Sequence, residues 1–139
     1  MNGEMITTDR LIPFSYVVLA TVAASGTLTV PLQLQNDSYF EHEITLATSS
    51  LDVDTEFAPN NFSVKITDTG TGRDLSNLAV PQVLMAAVAR FAPLHKRSII
   101  YPPKANLQFV FTNLVASENT VTLVLQGYKM LQGFPGLKW

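Results

Sequence analysis

The chain has 139 residues, of which 47% are hydrophobic and only 14% charged, with a net charge of −2 and no cysteine. A domain of this size can bury a substantial core without disulfides, and the missing cysteines exclude thiolate metal sites and thiol catalysis. A slightly acidic chain with scattered cations has no positive field to attract nucleic acid or an anionic membrane. We therefore expect one domain over residues 1–139 and neither a nucleic-acid nor a membrane partner.

The first apolar stretch, residues 12–24, has some features of a secretion signal. The residues before it carry Glu4 and Asp9 against Arg10, which is not the basic region that such a signal needs. The stretch is also shorter than the ~20 apolar residues of a membrane-spanning helix. We therefore interpret it as part of the folded protein, made in a cytoplasm.

Five later segments alternate apolar and polar residues with period two. They lie at residues 28–34, 40–46, 62–66, 107–111 and 121–125. This spacing is typical of strands with one buried and one wet face. In the second segment, Phe40, His42, Ile44 and Leu46 share one parity, so we predict that they share one face.

Turn-forming residues separate these segments, for example Ser25-Gly26, Asn36-Asp37-Ser38 and Ser117-Glu118-Asn119. Short strands punctuated in this way predict an antiparallel β-sandwich or a barrel. Pro31 interrupts the first alternating segment. Because proline cannot donate to a strand ladder, we predict that this strand is an edge strand or that Pro31 lies at a bulge.

The segment Val80–Arg90 is compatible with a strand or with a helix that begins after Pro81. We favour the strand, because all neighbouring elements are β. The proline-rich residues 93–103 predict a loop with a short extended stretch at Ser98–Tyr101.

Asp52, Asp54 and Glu56 alternate along one short segment and offer the oxygen ligands that Ca²⁺ prefers. The favoured interpretation is a solvated strand edge or loop, whose charges discourage edge pairing.

The two histidines do not have the spacing of a metal site. His42 shares the parity of apolar neighbours and is predicted to be buried and hydrogen-bonded, whereas His95 lies in a loop. The segment Gly70–Asp74 could hold an anion on its backbone amides, although a tight turn fixed by Arg73 and Asp74 is the favoured interpretation. No nucleophile motif is present, so we assign no catalytic, cofactor-binding or metal-binding residue and expect no enzyme.

Five segments in the second half resemble small virion proteins of tailed bacteriophages, in particular capsid decoration (cement) proteins. They are FSVKITD (62–68), GRDLSN (72–77), YPP (101–103), LQFVFTNL (107–114) and VTLVLQGYK (121–129). The resemblance implies a jelly-roll-like β-sandwich on the outside of a phage head. It implies binding to the major capsid protein, self-association as a dimer or trimer, and assembly in the host cytoplasm without a cofactor.

The charged share, well below the ~25% of an ordinary domain, agrees with an extensively contacted surface. We predict that two extensions, residues 1–13 and 132–139, reach the partner. The residues expected to contact it are Leu11, Ile12, Phe14, Phe134, Leu137 and Trp139. The alternative is that these aromatic side chains close their own sandwich.

Two other functions remain open at this point. One is a different phage component, such as a collar, head-fibre base or tail protein, which differs from a decoration protein in copy number. The other is a carbohydrate- or ligand-binding β-sandwich, which requires an exposed aromatic platform or a calcium site at Asp52, Asp54 and Glu56.

Overall fold

The protein is an all-β antiparallel sandwich of two sheets. A computed structural model describes residues 11–55, 59–84 and 99–131. Its strands are β1 (Leu11–Val22), β2 (Thr27–Gln33), β3 (Ser38–Ser49), β4 (Phe62–Asp68), β5 (Arg73–Asp74), β6 (Val80–Pro81), β7 (Ile99–Tyr101), β8 (Asn106–Asn113) and β9 (Asn119–Leu131). The five alternating segments of the sequence lie in β2, β3, β4, β8 and β9, which confirms their prediction as strands.

The chain winds between the sheets as in a jelly roll. The first sheet has the order β1-β9-β3-β7 and the second has the order β2-β8-β4-β5, with β6 also paired to β4. Because β8 occupies one side of β4 along its whole length, β5 and β6 share the other side as two short segments of one edge. Successive strands alternate between the sheets except at β4, β5 and β6, which all belong to the second sheet, and this order is the double Greek-key winding of a jelly roll.

Aromatic side chains from both sheets fill the interface between them. Phe40 of the first sheet and Phe62, Phe109 and Phe111 of the second are fully buried. Each such side chain removes 150–250 Å² from water by the general scale for aromatic residues, so these four dominate the core. Aliphatic residues of β1, β4, β8 and β9 complete it.

The first strand begins at Leu11, within the segment predicted to be an N-terminal extension. Leu11, Ile12 and Pro13 belong to β1 and pair with Met130, Lys129 and Tyr128 of β9, so the extension 1–13 was drawn too long. The apolar stretch 12–24 is mostly an edge strand, which period-two reasoning missed because both of its faces carry apolar residues.

Three local predictions have mixed outcomes. Pro31 lies in β2, an edge strand, as predicted, and Ile99–Tyr101 forms the expected short strand. The preference for a strand over Val80–Arg90 is wrong at Gln82–Leu84, which are helical. Helix-compatible residues after a proline outweighed the β context there. Residues 85–90 lie outside the described part of the chain.

A β-bulge interrupts β3 between His42 and Ile44. The extra residue, Glu43, shifts the parity of the strand, so Ile44 and Leu46 lie on the face opposite to Phe40 and His42. The prediction that these four side chains share one face is therefore wrong.

Candidate protein-binding surface

The solvent-facing side of the first sheet is the most distinctive surface of the described structure. We call it the outer face and define it by the outward side chains of four strands, assigned from the strand register. Its residues are Leu11, Pro13, Ser15, Val17, Leu19 and Thr21 of β1, Tyr39, Glu41, Ile44, Leu46 and Thr48 of β3, Ile100 of β7, and Thr120, Thr122, Val124, Gln126, Tyr128 and Met130 of β9.

Aliphatic side chains line up across the middle of the outer face. Val17, Val124 and Leu46 occupy one cross-strand row, and Leu19 stands in the next. Val17 is 54% exposed, Leu19 66% and Leu46 37%. Exposed aliphatic residues scattered singly are ordinary, but a contiguous patch on a soluble domain usually marks an interaction site.

The outer face also lacks charge. Among its residues only Glu41 is ionisable as an acid or a base at neutral pH, and the bulged Glu43 lies beside it. The opposite side of the sandwich differs, because the exposed side of the second sheet carries mainly Thr and Gln and a surface ion pair. That pair joins Lys65 Nζ to Asp74 Oδ2 at 3.2 Å. The two exposed sheet faces therefore differ mainly in their exposed aliphatic side chains, and both carry few charges.

The dimensions of this face suit a protein partner. The face runs for the 12 residues of β1, which is ~40 Å at the usual rise per strand residue. Three full-length strands make it ~15 Å wide, so it covers ~600 Å². A standard protein interface buries ~800 Å² on each partner.

The described residues among those predicted to contact a partner do not share one surface. Leu11 lies on the outer face, whereas Ile12 points to the inner side of β1 and is exposed at the margin of the sandwich. Phe14 packs inside its own domain, edge-to-face on Tyr16 with ring centroids 4.9 Å apart. Phe14 thus contributes to closing its own sandwich, although its ring is only partly buried, and its contact with a partner stays a prediction. Phe134, Leu137 and Trp139 lie outside the described residues.

Phe14 is further held by a buried cation. The Nζ atom of Lys129 lies 4.0 Å from the centre of the Phe14 ring, a favourable cation–π geometry. The same ammonium donates to Gln35 and to the Asp37 carboxylate, the latter at 3.2 Å. This cluster closes one end of the sandwich and holds the partly buried Phe14 ring against its own domain.

Asp52, the first of the three candidate calcium ligands, already has hydrogen-bond partners within the protein. The carboxylate of Asp52 accepts hydrogen bonds from the Asn61 side chain at 2.7 Å, the Gln82 side chain at 3.0 Å and the Ser49 amide at 2.9 Å. These donors occupy the lone pairs that a cation would need. Glu56 lies outside the described residues, and in the part of the chain that is described no group of three metal-ligating side chains occurs.

His42 is buried, as predicted. Its Nε2 atom is 2.8 Å from Thr45 Oγ1, and burial lowers its pKa to about 4. The ring is therefore neutral at physiological pH and stacks between Phe40 and Tyr101. His95 lies outside the described residues.

The Gly70–Asp74 segment is a tight turn, as favoured. The amides of Gly70 and Thr71 donate to the Asp68 side chain at 3.1 and 3.4 Å. The Gly72 amide donates to the Asp68 carbonyl, with a φ of +73° at Gly72 that suits glycine. Because these amides already have acceptors, the anion-binding alternative is wrong.

Sequence reasoning missed the residues that make the outer face apolar. Val17 and Leu19 belong to a strand that was not recognised, Ile100 was expected only as part of a short extended stretch, and Ile44 and Leu46 were placed on the same face as the buried Phe40. One signal was present: the 12 residues of β1 contain no charged side chain and are apolar at both parities. A strand that buries only one face needs apolar residues at only one parity, so the second apolar face of β1 was the sign of an exposed apolar surface.

No protein-family model matches the chain, and no curated protein matches its sequence. Across the described ranges, no helix has the length and apolar character needed to cross a membrane. Neither result assigns a function, and the outer face supplies the strongest functional indication.

Proposed function

We propose that the protein is a structural virion protein that binds the outside of a tailed-phage capsid and stabilises it by bridging major capsid subunits. The observation that carries the proposal is the outer face, a sheet surface with adjacent exposed aliphatic side chains at its middle and one carboxylate, Glu41. The resemblance of residues 62–129 to decoration proteins supplies the identity of the partner, and the jelly-roll winding agrees with it.

The mechanism is linkage between binding and assembly. A protein that binds only the assembled shell lowers the free energy of that shell relative to its separated subunits. Single contacts of moderate affinity suffice, because many copies act together on a symmetric lattice. A sheet face suits this role, since its hydrogen-bonded backbone is already ordered and little conformational entropy is lost when it docks.

The test uses heads of the phage whose genome encodes this chain, prepared without the protein. Purified protein is added, and binding is followed by co-sedimentation and head stability by calorimetry. We expect saturable binding at a copy number comparable with that of the major capsid protein, and a rise in the melting temperature of the heads. Absence of binding would reject the proposal. Binding of only a few copies would reject the decoration role in favour of a collar, fibre-base or tail component.

A pair of lysine variants locates the binding surface. Leu46→Lys places a charge in the middle of the outer face, and Thr29→Lys places one on the exposed side of β2 in the second sheet. Both side chains are already exposed, so both variants should fold. We expect Leu46→Lys to weaken head binding at least ~10-fold, the effect of losing a central interface contact, and Thr29→Lys to bind normally. Equal binding by both variants would reject the outer face as the docking surface.

A further inference from the structure

The edge strands of the two sheets differ in how well they are protected against pairing with other chains. An exposed strand edge offers unpaired backbone groups to other chains, and proteins usually shorten such edges, charge them or interrupt them with proline. Here β7 has three residues, β5 and β6 have two each, and β2 contains Pro31. Three of the four sheet edges therefore carry a recognised protection.

The fourth edge, β1, has almost none. It has 12 residues and no charged side chain, and its single proline, Pro13, lies near one end. One side of β1 pairs with β9 along its whole length, from Leu11 to Val22, and no described strand pairs with the other side. Within the described residues, a strand of this length leaves ~40 Å of edge without a pairing strand.

Side chains along the same side of the sandwich are also incompletely covered. Ile12 of β1 and Leu28 of β2 point inward, yet they are 40% and 37% exposed. Both belong to the edge strands that lie over one another at this side. Inward apolar residues that remain exposed, at an edge that no described strand pairs with, are the surface that a covering partner would bury.

We propose that β1 pairs antiparallel with β1 of a second copy, which joins two first sheets into one continuous eight-stranded sheet. An uncharged strand meets its own copy without repulsion between like charges, and an antiparallel pair of identical strands has the two-fold symmetry of common dimers. If the axis passes near Val17, Val17 faces its own copy and Ser15 faces Leu19. When the axis passes through a residue position in this way, outward side chains of one copy lie opposite outward side chains of the other, so both outer faces lie on the same side of the joined sheet.

The size of this contact is sufficient for a dimer. Antiparallel pairing over about ten residues forms about ten backbone hydrogen bonds, the number found in a standard interface. It also doubles the outer face to ~1,200 Å². The inference does not rest on the proposed function, because self-association is measured without capsids.

Single-cysteine variants test the geometry, since the natural chain has no cysteine. Ser15→Cys, Val17→Cys and Leu19→Cys probe the edge, and Thr122→Cys on the central strand β9 probes the outer face. We expect disulfide-linked dimers under oxidation from one of the three β1 variants, or from a mixture of two neighbouring ones, and none from Thr122→Cys. Preferential cross-linking through position 122 would show face-to-face stacking instead and would overturn edge pairing.

Charge variants provide a second measurement that does not depend on oxidation. Lys side chains introduced by Val17→Lys would face each other across the axis, where like charges opposite one another destabilise a strand pair. By sedimentation velocity we expect the dissociation constant of the dimer to rise at least ten-fold. Thr48→Lys, on the same face but in β3, which β9 separates from β1, should leave the dimer unchanged.

A mixture of two variants gives the most specific result. Val17→Glu and Val17→Lys should each be monomeric, and an equimolar mixture should form heterodimers through opposite charges. A wild-type protein that remains monomeric at its highest soluble concentration would overturn the proposal. So would a mixture that fails to restore dimers while the separate variants fold normally.

Discussion

Gly127 of β9 lies against the bulge of β3, so close that a β-carbon at position 127 would be 1.8 Å from the carbonyl oxygen of Glu41. No side chain fits at that distance. The close approach accompanies the bulge that turns Ile44 and Leu46 from the core to the outer face. One glycine thus permits the backbone geometry on which the apolar surface depends.

Replacing Gly127 by alanine should destabilise the protein strongly. The methyl group would force β3 and β9 apart next to the core, and overpacking of this kind costs ~3 kcal/mol. Chemical denaturation should show a lower free energy of unfolding. Gly70→Ala is the matched control, because its β-carbon would make an ordinary 3.4 Å contact with Asp68. Similar stability of the two variants would contradict the close approach.

Period-two reasoning recovered five strands because each has one apolar and one polar face. It failed on β1, where both faces are apolar, and on β3, where Glu43 changes the parity. A bulge depends on how a strand meets its neighbour, here Gly127 on β9, and that pairing joins residues more than 80 positions apart. The order of strands in the sheets also depends on such distant pairing. For the same reason, sequence analysis placed the candidate contacts at the chain ends and missed the outer face.

Replacing Asp37 should lower the free energy of unfolding more than replacing its partner Lys129. The side chain of Lys129 is 7% exposed and that of Asp37 is 54% exposed. Asp37→Asn would leave a buried ammonium without its counter-charge, which costs ~3 kcal/mol. Lys129→Met would instead free a carboxylate that is already largely hydrated, with a cost below ~1 kcal/mol. The free energies of unfolding of the two variants check the order.

The pKa of Asp37 gives a second readout of the same pair. Burial raises this pKa, but hydrogen bonds from Lys129 and Ser38 lower it more, so it lies below its usual range. In Lys129→Met the pKa should return toward the ordinary value, as measured by NMR titration. An unchanged Asp37 pKa, or a greater loss of stability in Lys129→Met than in Asp37→Asn, would contradict the buried pair.

Asn113 at the end of β8 should be essential for stability. Its amide nitrogen donates to the carbonyls of Ala23 and Ser117 at 3.1 and 2.7 Å, and its oxygen accepts from the Val115 amide at 3.0 Å. Asn113→Leu keeps the volume but leaves these buried groups unpaired, which costs ~3 kcal/mol or more. Asn106→Leu, at the exposed opposite end of β8, should change the melting temperature little. Equal melting of both variants would show that the network is dispensable.

His42 should make the protein less stable in acid. A histidine ionises near pH 6.5 in an unfolded chain, whereas burial lowers the pKa of His42 to about 4 in the folded protein. The unfolded state therefore binds the proton more readily. The stability contributed by the neutral ring is complete above pH 6.5 and is lost as the pH falls toward 4, by ~2 kcal/mol at pH 5.

Unfolding of the natural protein and of His42→Gln at pH 7 and pH 5 measures this contribution. Glutamine can still reach Thr45, and it does not titrate, so the variant should lose less stability between the two pH values by ~2 kcal/mol. His95 is present in both proteins and cancels in the comparison. Asp37 and Asp74 have pKa values below their usual range, so their contributions disappear only in stronger acid. Parallel loss of stability in the two proteins would mean that His42 is hydrated rather than buried between Phe40 and Tyr101.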